Sequence, residues 1–162
     1  MDDFNFDPIL ATFPSQAKKL ENIHISLSKP CSLLKHEIEL VKTRIEKNVI
    51  GIKPFSVRLD GEHPFVLQSE SNDVFGVIPV QSGKMQLNML VDEIDDALAV
   101  FGKEKYYSER ILHASIASWQ QDEAIVGEIH PGTQHDSSSL PSFQVKSIVL
   151  RSGHLQFTIP LG

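Results

Sequence analysis

The spacing of hydrophobic positions changes along this chain, and each change marks a new element. Over residues 22–28 apolar and polar residues alternate, the two-residue period of a strand. Pro30 stops that strand, and Ser32 stands where it could cap a helix running to about residue 47, with Leu34, Ile38, Val41 and Ile45 on one stripe. Extended segments over 52–59, 65–68 and 74–80 follow as a meander, broken at Asp60-Gly61 and at Glu70-Ser71-Asn72-Asp73. A second amphipathic helix is predicted over about 84–101. Its buried side carries Leu87, Leu90, Val91, Ile94, Leu98 and Phe101, Gly102 serves as its stop, and Asp92, Glu93, Asp95 and Asp96 form a solvated acidic face. Strands are expected at 111–118, 124–130, 143–150 and 155–159, the last two joined as a hairpin about Ser152-Gly153, with 131–142 a mobile surface loop. Residues 1–19, with Pro8 and Pro14, are expected to form a loosely packed arm. Residues 20–162 then make one α+β domain of two lobes.

Two of the predicted strands carry nearly the same text, His24-Ile25-Ser26-Leu27-Ser28 and His113-Ala114-Ser115-Ile116-Ala117. Alternation puts His and Ser on one face of each strand and the apolar residues on the other, so each lobe is expected to lend one His-x-Ser strand to a shared groove. Two imidazoles suit acid/base work on a phosphodiester, because a pKa near 6.5 keeps both protonation states populated near neutrality. The two hydroxyls would hydrogen-bond the non-bridging oxygens where charge accumulates, and that chemistry requires no metal. A bare His-x-Ser is common, and strand histidines are often plain surface residues; the spacing alone leaves both readings open.

Composition narrows the partners. A net charge of −6 argues against a long grip on duplex phosphates, whereas a short single-stranded end held in a cleft needs few donors. Hydrophobic residues at 41% and charged residues at 22% are ordinary for a globular chain of 162 residues. The single cysteine, Cys31, has no disulfide partner and suits a reducing compartment. No apolar run reaches membrane-spanning length and the first residues lack a signal-peptide pattern, so cytoplasm or nucleus is expected. His63, His130, His135 and His154 lack metal-ligand spacing and are expected at the surface, as are the charges of Lys29 and Arg110.

Taken with Tyr106-Tyr107 and the ending from Phe143 to Leu161, the two motifs resemble the 2H phosphoesterase superfamily, and the surroundings are most similar to its U6 snRNA phosphodiesterase branch. The resemblance spans about residues 20–162. It implies a bilobal fold of two antiparallel-sheet lobes with flanking helices around a central cleft. It implies a metal-independent 3′-to-5′ RNA exonuclease that trims the uridine- or adenosine-rich end of U6 snRNA, leaving a 2′,3′-cyclic phosphate or a 3′-phosphate. By this likeness His113 is the general base on the ribose 2′-hydroxyl, His24 the general acid to the leaving 5′-oxygen, Ser26 and Ser115 the phosphate ligands, and Tyr107 an aromatic that stacks on the terminal base. It further implies a monomer without cofactor or metal that takes a single-stranded RNA 3′ end in the nucleus and makes no membrane contact. Family members often carry a proline between that tyrosine and the histidine; here Ser108-Glu109-Arg110-Ile111-Leu112 stands instead, and Trp119 comes one place late. The alternatives are another 2H enzyme, acting on a cyclic nucleotide or a 2′-5′ linkage, and a non-catalytic RNA-binding module.

Overall fold

Each of two compact units is assembled from three separate stretches of the chain in the computed structural model, which describes residues 1, 4–69, 71–121 and 140–162. The first unit takes Met1–Ile25, Arg58–Ser82 and Ile111–Ser142; the second takes Ser26–Val57, Gly83–Arg110 and Phe143–Gly162. The fold is α+β and its strand pairings are antiparallel, as the order of periods implied.

In the first unit, α1 (Asp7–Leu10) leads to β1 (Lys18–Lys19), which pairs with β5 (His113–Gln120). On its other side β5 pairs with β4 (Asp73–Ser82). The last two residues of β2 (Phe55–Leu59) and all of β3 (Phe65–Gln68) also pair with β4. Phe6, Ile9 and Phe13, inside the expected arm, are buried, so the stretch from Phe6 to Phe13 supplies core to this unit rather than packing loosely. Burial of three such side chains offsets the entropy of ordering the segment, at about 1.5–3 kcal/mol each. Phe13 lies over Gly76, where a Cβ would sit 2.6 Å from its ring.

The second unit packs α2 (Lys35–Val49) against α3 (Lys84–Ala99) and against the hairpin of β7 (Ser147–Ser152) and β8 (Leu155–Pro160). A short strand, β6 (Phe143–Val145), pairs with Phe55–Val57 at the start of β2. Ile38, Val41, Ile45 and Val49 of α2 are buried, but Leu34 is exposed at its N-cap. The Leu34 N–H donates to the Glu37 carboxylate at 2.7 Å, so Glu37 rather than Ser32 satisfies the helix start. The expected strand 143–150 is two strands because its halves pair with different partners, β2 and then β8.

The expected strand 22–28 is reduced to a single bridge, Ile25 to Ala114, although its alternation of half-buried and exposed residues persists. Expectations for 124–130 and for most of 131–142, including His130 and His135, fall outside the described residues. No helix among the described residues is long and apolar enough to cross a membrane.

Gly83, at the N-cap of α3, has a φ of +89°, and a Cβ there would lie 2.6 Å from the Ser56 carbonyl oxygen. Gly83→Ala is therefore expected to cost about 2 kcal/mol, read as a fall of roughly 4–8 °C in thermal melting. Gly102→Ala, at a φ of +69° but in open space, should cost only about 1 kcal/mol. Equal losses would show that the Ser56 contact is immaterial.

Candidate active site

His113 opens β5, where Ala114 and Ile116 are fully buried while His113 and Ser115 stay half-exposed on the other face. The alternation then breaks. Gly76 pairs with Ala117 and Val77 with Ser115, which leaves Ile116 as an extra residue on β5. This bulge sits directly after Ser115, and it places Ile116 and Ala117 together in the core. Pro79 faces His113 at the end of the ladder, and the Phe65 ring meets the imidazole edge-on with centroids 6.3 Å apart.

His24 reaches the same face by a different route. Residues on either side of an antiparallel bridge point away from the bridging pair, so the Ile25–Ala114 bridge sends His24, His113 and Ser115 to one face. In that register His24 stands across from Ser115 and diagonal to His113, at about 7–8 Å between backbones. Both histidines belong to the first unit, which replaces the expectation of one histidine from each lobe.

Each imidazole is held by the backbone two residues upstream of it. His24 Nδ1 lies 2.8 Å from the Asn22 carbonyl oxygen, and His113 Nδ1 lies 2.6 Å from that of Ile111. A carbonyl only accepts, so both Nδ1 atoms carry the proton and donate. Each Nε2 is then left to take or give a proton, which is the arrangement acid/base chemistry needs. Nothing in the side-chain pattern signals these bonds, because the acceptor is backbone two residues upstream.

Ser26 and Tyr107 lie in the second unit, Ser26 as its first residue. Tyr107 is 57% exposed, with the Lys29 ammonium 4.5 Å from its ring centroid and Tyr106 edge-on at 5.3 Å. Lys29 also pairs with Glu104 at 3.3 Å, so it is not the plain solvated charge expected. Burial, and then the neighbouring Tyr107, push the Tyr106 hydroxyl above its usual range, against the opposing pull of Arg110.

The acidic face of α3 needs the larger correction. Asp95 is only 3% exposed, accepts the Tyr106 N–H at 2.9 Å and meets Arg110 at 3.4 Å, while Arg110 also pairs with Asp92 at 2.8 Å. Spacing carried the signal: Asp95 stands four residues after Val91 and three before Leu98, inside the apolar stripe. Among the described residues no cluster of His, Cys, Asp or Glu could hold a metal, and His63 instead meets the Asp60 carboxylate at 2.9 Å.

The family model of HVSL, described as an uncharacterised conserved protein, matches residues 2–160. This chain belongs to the HVSL family. Among curated proteins this HVSL chain is 30% identical over 97 residues to U6 snRNA phosphodiesterase 1 of Dictyostelium discoideum. That match takes in 59% of the chain and spans 35% of the relative's length. Among solved structures it resembles Kluyveromyces marxianus Usb1 with uridine monophosphate, at a TM-score of 0.62 and 17% identity over 86% of the HVSL chain and 75% of the other. A second Kluyveromyces marxianus Usb1 structure matches at a TM-score of 0.60 and 18% identity, over 86% and 74% of the two chains. The fold is thus that of Kluyveromyces marxianus Usb1.

Proposed function

We propose that this chain is a 3′-to-5′ exoribonuclease that cuts the last phosphodiester of a single-stranded RNA. The observation that carries the reading is the Ile25–Ala114 bridge, which sets two imidazoles on one face beside Ser115, with Nε2 atoms that make no hydrogen bond among the described residues. His113 Nε2 takes the proton of the penultimate ribose 2′-hydroxyl as O2′ attacks phosphorus. His24 Nε2–H protonates O5′ as the P–O5′ bond breaks, releasing the terminal nucleoside and leaving a 2′,3′-cyclic phosphate. Water can then open the ring to a 3′-phosphate with the two histidines exchanging roles. Ser115 and Ser26 hydrogen-bond the non-bridging oxygens, and Tyr107 offers a ring face to the terminal base. The chemistry uses no metal, and the chain acts as a monomer.

The likeness to a U6 snRNA phosphodiesterase supports a uridine- or adenosine-rich U6 snRNA end as the substrate and the nucleus as the place of action. A uridine-tailed RNA should shorten stepwise in the presence of chelator, and the same RNA with a 2′-deoxy penultimate ribose should not be cut. Cleavage of the deoxy substrate at the ordinary rate would remove the 2′-hydroxyl from the reaction. Dependence on added metal would end the two-imidazole mechanism.

A further inference from the structure

The face of β5 that carries His113 and Ser115 does not end at the bulge. Simple alternation from Ala114 and Ile116 would have sent Ser118 and Gln120 into the core. The extra residue at Ile116 resets the facing, so Ser118 and Gln120 follow His113 and Ser115 on the same side. Across that face Lys18, Ser118 and Phe75 stand in one row, because Lys18 pairs with Ser118 and Ser118 pairs with Phe75. Paired residues of an antiparallel sheet share a face, so an ammonium, a hydroxyl and an aromatic ring lie side by side at strand spacing, about 4.8 Å apart. Asp73 and Gln120 form the next row. These side chains and Trp119 line a cavity of about 550 Å³ that lies wholly in the first unit.

We propose that this cavity binds an upstream nucleotide of the RNA whose end lies at the two histidines, a proposal that rests on the functional reading above. Its volume suits a nucleotide. Ser115 pairs with Val77 and Ser118 with Phe75, two residues apart on β4 and so roughly 7 Å along the sheet at about 3.3 Å per residue, which starts the groove about one nucleotide from the bond that breaks. Among the described residues the Lys18 ammonium has no carboxylate within ion-pair distance, which leaves it for a phosphate. Phe75 is half-buried and presents a ring on which any base can stack. The Asp73 carboxylate, held by the Ser71 hydroxyl at 2.9 Å, repels phosphate from the far end and so directs the backbone along the Lys18 edge. The arrangement gives a net acidic chain a local hold on RNA with one cation and one ring.

Trp119 pairs with the buried Val74 and its ring meets Phe13 at 5.7 Å, on the opposite face of the strand, so binding is read from the ligand. Titrating a 5′-fluorescein-labelled hexauridylate, made uncleavable by a 2′-deoxy penultimate ribose, with the full chain should raise its anisotropy saturably. Phe75→Leu should weaken that binding about tenfold. Lys18→Gln, an exposed position that leaves the fold alone, should weaken it about threefold and lower the slope of log Kd against log salt by about 0.7. In turnover, the losses should appear in KM for hexauridylate with kcat kept, and should be less than twofold for diuridylate, which ends before the groove. Absence of saturable binding, affinity unchanged in both variants, or equal losses on the two substrates would overturn the proposal. If the wild-type chain cuts neither substrate, the exonuclease reading falls, while the anisotropy titration still decides the groove.

Discussion

His113→Asn should lower single-turnover cleavage of a uridine-tailed RNA by about 10³-fold and leave thermal melting within about 2 °C of the parent. The choice of asparagine follows from the geometry. Its amide nitrogen falls near the place of Nδ1, so it can still donate to the Ile111 carbonyl and keep the strand end in place. What it removes is Nε2, the nitrogen proposed to exchange the proton. His24→Asn has the same logic against the Asn22 carbonyl, and the double variant should be little slower than either single one, because both groups act in one step. A rate within tenfold of the parent after His113→Asn would take His113 out of the chemistry, and additive losses in the double variant would mean the two histidines serve separate steps.

Asp95→Ala is expected to be the most damaging single change to stability, at about 3 kcal/mol. Asp95 is buried, and its removal leaves the Tyr106 N–H without an acceptor and strips Arg110 of its inner partner. Thermal melting should fall by roughly 6–12 °C for a chain of this size. Asp95→Asn keeps an oxygen for the Tyr106 N–H and should lose about half as much. Asp92→Ala removes the shorter ion pair to Arg110, 2.8 Å against 3.4 Å, yet should cost under about 1 kcal/mol, because the Asp92 side chain is 65% exposed and water replaces the partner. If Asp92 proved the costlier loss, burial would not be what makes the Arg110 clamp matter.

The contrast between these two carboxylates shows how the sequence could be read well and still mislead. Asp92, Glu93, Asp95 and Asp96 look like one solvated face when residue type is weighed first. Spacing weighed first puts Asp95 with Val91 and Leu98 in the buried stripe, and the structure sides with spacing because Tyr106 and Arg110 satisfy the buried carboxylate. The bulge in β5 offers a similar lesson. Two adjacent core-compatible residues, Ile116 and Ala117, are the trace it leaves in the sequence, but either could have faced outward. Only pairing with Gly76 and Val77 decides that both are buried. The opening segment differs again, since Phe6, Ile9 and Phe13 could not be assigned to a core without the strands they cover.

Local patterning by itself determined the two helices, most strand positions, and the facing of His24, His113 and Ser115, because helix and strand periods depend on neighbours a few residues apart. It also suggested the chemistry proposed above, since imidazole and hydroxyl on the exposed side of an apolar strand are legible as residue types. Tertiary structure alone decided that Ile25 meets Ala114, that both histidines therefore share one unit and one face, and that Ser118, Phe75 and Lys18 extend that face into a groove. Register between segments far apart in the chain is set by core packing and by which backbones remain to be paired, and neither is written in any short stretch of residues.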